Sequence, residues 1–126
     1  MDRKFVLTGL VYALIGLSLG LFMGISEDHG QMVTHAHIML IGFVVSMIYG
    51  ICHKLWLPPV KSMLSIIQFM VHQCGTVLLL SGLFLVYGGF VDPHILGPWL
   101  GVFSIIVFVG MILMAVMFWK SYNKVA

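Results

Sequence analysis

Four apolar runs fix what this chain can become. Residues 5–25, 32–52, 63–87 and 97–119 each approach the roughly 20 residues that cross about 30 Å of hydrocarbon as a helix. The links between them, 26–31, 53–62 and 88–96, are short enough to make successive helices antiparallel neighbours. Pro58-Pro59 cannot continue a helix, and Asp92-Pro93 marks another turn. With 61% hydrophobic and 8% charged residues, the 126-residue chain is neither disordered nor an ordinary soluble protein. It reads as one all-α domain, 1–126, of four transmembrane helices in an up-down arrangement. Met1-Asp2-Arg3-Lys4 ahead of the first run resembles the start of a signal peptide. That run exceeds a signal core of roughly 7–15 residues and no small-x-small cleavage site follows, so it is expected to stay as the first helix.

Charge gives the orientation. Arg3, Lys4, Lys54, Lys61, Lys120 and Lys124 all fall on one side of this arrangement, while Glu27, Asp28 and Asp92 fall on the other, which has no Lys or Arg. The positive-inside bias then puts both termini in the cytoplasm. A formal charge of +2, dispersed over helix ends, gives no sign of nucleic-acid binding. Cys52 and Cys74 lie inside spans without metal-binding spacing and are read as small apolar residues.

Glycines set the packing. Gly9, Gly16, Gly20 and Gly24 line the first helix, and Gly42, Ser46 and Gly50 repeat every four residues on the second. Small ridges let membrane helices approach closely, and they also let a flat macrocycle lie against a backbone. Gly42 is therefore a candidate for a cofactor surface as well as for a helix contact. Trp56, Trp99 and Trp119 sit near span ends, as interfacial anchors do.

The chemistry rests in histidines. An ionisable side chain inside a span is costly and marks a functional site by default. His29, His53 and His94 fall in loops or at helix ends, whereas His72 lies near the middle of the third helix beside Gln73. His35 and His37 open the second helix in its outer third. Residues two apart on a helix differ by about 200°, so these two rings point to nearly opposite faces. They cannot bind one ion from one helix, but they can offer one imidazole to each of two neighbours. Neutral imidazole is a common axial ligand of heme iron. Zinc wants a fuller set, and the spans hold no Asp or Glu to complete it. Heme is the better fit to charge-poor, glycine-lined helices. His37 and His72 differ in depth by roughly 12 Å at 1.5 Å per residue, too much for two ligands of one iron. His35 and His37 are nearly level, so a level pair arises when His37 of one subunit meets His35 of another.

His35-Ala36-His37 followed by the small-residue-rich apolar run 38–51 resembles the His-x-His helix of heme-copper oxidase subunit I. In that family one such histidine binds the low-spin heme and the other the high-spin heme. The family's twelve helices form three arcs of four with pseudo-threefold symmetry, and this four-helix chain is similar to one arc. The resemblance implies a homotrimer in the inner (plasma) membrane of a prokaryote, with heme b held between protomers. The departures are equally specific, since there is no His-His pair for copper and no Arg on the outer side for heme propionates. His29, His94, Gln31 and Trp99 are the remaining donors there. Oxygen reduction and proton pumping are therefore not expected. The expected function is electron transfer, with quinol as a candidate donor, or binding of a diatomic gas. The alternative is a cofactor-free accessory subunit whose glycine ridges dock a larger membrane complex. A third reading, copper or proton handling along His35, His37 and His72, lacks a carboxylate relay.

Overall fold

The computed structural model describes residues 1–125, and these are helical from Asp2 onward apart from three connecting segments. Helix α1 spans Asp2–Ser26, α2 spans Met32–Leu55, α3 spans Met63–Tyr87 and α4 spans Pro93–Val125. All four are long and apolar enough to cross a membrane.

Each terminus has a local cause. Helix α1 stops where Glu27 takes a left-handed conformation, φ 59°, the usual way to close a helix, though glycine is the usual residue there. Helix α3 opens on a reciprocal cap: the Ser65 N–H donates to Ser62 Oγ at 3.1 Å, and the Ser62 N–H donates to Ser65 Oγ at 3.0 Å. Ser62→Ala should lower stability by about 1 kcal/mol, read as a shift in the thermal melt in detergent. Helix α4 begins at Pro93, earlier than the expected 97. Asp92 accepts from the His94 N–H at 2.8 Å, and Pro93 occupies the first helical position, where a missing N–H costs nothing. The Asp92-Pro93 step is thus a helix start. Pro98 lies inside the same helix.

The helices alternate in direction. At one end, the Gln31 amide donates to the Phe84 carbonyl at 3.0 Å, joining the α1–α2 link to the end of α3. At the other, the Ser121 hydroxyl donates to the Trp56 carbonyl at 2.7 Å, joining α4 to the α2–α3 link. All six Lys and Arg residues belong to that second end by their positions along the helices.

In a bilayer, helices associate through close packing and interhelical hydrogen bonds, since lipid is as apolar as the helix surfaces. The α1–α2 seam is built that way. Tyr12 lies over Gly42 so closely that a Cβ there would stand 2.8 Å from the ring's Cγ. Gly42, expected as a candidate cofactor surface, is buried by this ring and serves the helix contact. Near the basic end, Phe5, Tyr49, Leu57, Met114 and Met117 make a buried cluster. Phe5 meets Tyr49 edge-on at 5.3 Å. Towards the other end the core narrows to Tyr12, Ile38 and Leu80. Most of the outward-facing positions of α4, including Val102, Ile105, Phe108 and Ile112, are exposed apolar residues that suit lipid contact.

Candidate functional site

Helix α2 is not uniform. Its first turns, Met32–His37, are α-helical, and a π-helical stretch, Ile38–Val44, follows at once. The wide turn is marked by the Val45 N–H reaching back five residues to the Leu40 carbonyl. Such stretches are rare and recur at functional sites. Here the stretch starts on the residue after His37.

The two histidines are held alike although they face apart. His35 Nδ1 lies 2.8 Å from the Gly16 carbonyl oxygen of α1. His37 Nδ1 lies 2.8 Å from the Val33 carbonyl oxygen of its own helix. A carbonyl oxygen only accepts, so in each neutral ring Nδ1 carries the proton and Nε2 the lone pair. Neither Nε2 has a hydrogen bond to any described residue, and neither is among the enclosed polar atoms. His35 also needs the glycine of the next turn: a Cβ on Gly20 would stand 3.0 Å from its Cε1. The notch between Gly16 and Gly20 therefore seats the ring. Both residues are half-buried.

His72 is placed very differently. It is fully buried, with Nε2 3.0 Å from Ser46 Oγ, the Tyr49 ring edge-on at 5.0 Å and the Phe5 ring at 6.0 Å, and a Cβ added to Gly110 would stand 3.5 Å from its Cα. Its Nδ1 has no partner. Protein surrounds the ring on every side, leaving no face for a porphyrin. His72 belongs to a polar row on α3, with Gln68 one turn to one side and Thr76 one turn to the other, both fully buried. Gln68 donates to the Gly110 carbonyl at 3.2 Å, while its Oε1 and Thr76 Oγ1 are unpartnered. A second polar bridge runs beside it: the Tyr12 hydroxyl donates to Gln73 Oε1 at 2.8 Å, and Gln73 Nε2 donates to Thr8 Oγ1 at 3.1 Å. Sequence reasoning singled out His72 and Gln73 but missed Gln68, Thr76 and the partner role of Ser46. The four-residue spacing of Gln68, His72 and Thr76 was the available signal.

The remaining histidines stay apart. His29 is exposed, with Nδ1 3.1 Å from the Glu27 carbonyl, and His94 is exposed in the first turn of α4. They lie towards the same end of the bundle as His35 and His37. His53 is at the basic end, stacked on Phe5 at 5.5 Å. Among the described residues no three of His, Cys, Asp and Glu converge as they would around a metal ion. An apolar groove of about 380 Å3 runs between α1, α2 and α3, lined by Tyr12, Thr34, Ile38, Leu80 and Phe84 but by neither His35 nor His37.

No protein-family model matches the sequence, and neither a curated protein nor a solved structure matches it.

Proposed function

We propose that this is a heme b-binding integral membrane protein, with His37 of one protomer and His35 of its neighbour as the iron ligands. The observation that carries the reading is the shared state of the two rings. Each holds its Nδ1 proton on a backbone carbonyl and keeps the Nε2 lone pair free. That is the arrangement a ligating imidazole needs, because the anchored nitrogen fixes both tautomer and ring direction. An uncovered lone pair at membrane depth is also costly, so a partner for Nε2 relieves a penalty that the isolated chain carries. When bound, heme iron supplies one-electron chemistry or, at an open axial position, affinity for a diatomic gas. Gly16 and Gly20 seat the His35 ring, and Val33 orients the His37 ring. His29 and His94 are the remaining imidazole donors towards this end. The charge asymmetry favours cytoplasmic termini, which sets the histidines towards the outer leaflet.

A partner surface is available. Gly97 and Gly101 of α4 are exposed, and a Cβ added to either would meet no atom within 4 Å, unlike the glycines of the α1–α2 seam. A Gly-x-x-x-Gly ridge left open in a membrane helix favours docking of a second helix. The resemblance to one arc of a threefold assembly makes a homotrimer the preferred oligomer. The same ridge favours the second reading, a cofactor-free subunit docked on a larger complex. Gly97→Leu/Gly101→Leu separates the two. In the homo-oligomer reading the double variant dissociates the purified oligomer in crosslinking or native mass spectrometry and lowers heme content with it. In the accessory reading a colourless protein loses a co-purifying complex instead.

A further inference from the structure

The basic end of the bundle holds a polar cavity remote from His35 and His37. It measures about 240 Å3, and its lining includes Asp2, His53, Lys54, Lys61 and Ser65. Lys54 and Lys61 are exposed, whereas His53 is only 7% exposed and its Nε2 has no hydrogen-bond partner. Helix α3 starts at Met63, so the positive end of its dipole lies at the same wall. Asp2 is the one carboxylate in the lining, 3.8 Å from the Met1 amino group.

An apolar groove opens from the same rim. It measures about 360 Å3, lies between α1 and α2, and is lined by Arg3, Val6, Leu7, Leu10, Gly50 and Ile51. Asp2 and Lys54 border both features. A cationic head region thus adjoins an open apolar groove along the first turns of α1. Basic pockets between helices at the cytoplasmic face are suited to anionic headgroups.

We propose that the cavity and groove together bind one anionic phospholipid, with Lys54, Lys61 and Arg3 around its phosphate and one acyl chain along Leu7, Leu10 and Ile51. The site is independent of heme binding. A free phosphate would use the cavity and leave the groove idle, and a zwitterionic lipid would bring its own cation against the lysines.

Native mass spectrometry of delipidated protein titrated with phosphatidylglycerol, phosphatidylcholine or inorganic phosphate tests this. One phosphatidylglycerol should be retained per chain. Lys54→Gln and Lys61→Gln should each weaken retention by roughly fivefold, and Asp2→Asn should strengthen it. Ile51→Trp fills the groove without changing charge and should also weaken it. Ile51, Lys54 and Lys61 are exposed and Asp2 is half-buried, and circular dichroism checks that each variant keeps its helices. Equal retention of the two lipids, or unchanged retention in the Lys54→Gln/Lys61→Gln double variant, overturns the proposal. So does inorganic phosphate displacing the lipid while Ile51→Trp binds like the parent, which would assign the cavity to a soluble phosphate.

Discussion

Replacing His37 with alanine should empty the protein of heme, while replacing His72 should leave the heme spectrum in place. The contrast follows from where each ring's free nitrogen lies. His37 has its Nδ1 on the Val33 carbonyl and its Nε2 unengaged, so alanine removes the proposed ligand, which is already set in the correct tautomer. Disturbing an outer-shell partner of a metal ligand typically costs 10–100-fold in affinity, and removal of the ligand itself should cost at least about that much. His35→Ala should give either a five-coordinate spectrum or loss of heme, because in the proposed oligomer His35 of the neighbouring copy takes the second axial position. The His72 ring is fully enclosed, with Ser46 on its Nε2 and the Tyr49 and Phe5 rings beside it. His72→Ala should reduce thermal stability by leaving Ser46 without its partner and a void in the core, with the Soret position unchanged. Loss of heme in His72→Ala with retention in His37→Ala would move the ligand set to the bundle interior and end the intersubunit proposal.

The second large effect concerns Gly42. Gly42→Leu should destabilise the bundle by about 1–3 kcal/mol or more, the range for forcing extra carbons into a filled core. The obstacle is rigid. The Tyr12 ring covers the glycine at Cβ-contact distance, and its hydroxyl is tied to Gln73, so the ring cannot swing aside without breaking the α1–α3 bridge. By contrast, a Cβ at Gly16 would meet the flexible end of Met39 and, at 2.9 Å, a methyl of Ile38, and alanine adds a single carbon there where Gly42→Leu adds four. Gly16→Ala should therefore be milder. The check is a detergent melting curve for both variants, with heme content measured on the folded fraction of each. If Gly42 serves only the helix contact, the folded fraction of Gly42→Leu binds heme at the parental ratio.

Much of the fold is legible in the chain itself. Long apolar runs declare spans because bilayer thickness fixes their length, and α3 occupies the expected 63–87. The Lys and Arg positions sort the two ends along the same spans. The opposed directions of His35 and His37 follow from helical geometry alone. What escapes the sequence depends on contacts between distant segments. Ser46 looks like one more small residue until α3 brings His72 within 3.0 Å. Gly42 is equally suited to a macrocycle or a tyrosine, and only the placement of Tyr12 chooses. The π-helical stretch Ile38–Val44 carries no proline or other local marker that sets it apart from an ordinary apolar helix. The start of α4 differs from the expected one because Asp-Pro has two uses. The same pair that marks a turn also forms an N-cap followed by a first helical residue.

The hydrogen-bonding state of the histidines lies beyond the sequence as well. Spacing yields two rings facing apart, but not that both would place Nδ1 on a carbonyl. That detail turns a pair of intramembrane histidines into a pair of potential ligands, and it rests on Gly16 in one case and Val33 in the other.

One optical measurement bears most directly on the proposal: the absorption spectrum of protein purified from membranes with a heme supply, recorded oxidised and after dithionite reduction. The expected result is a Soret band that shifts on reduction, with the resolved visible bands of a six-coordinate b-type heme. A protein that stays colourless after heme reconstitution, folded and in its native oligomer, would contradict it.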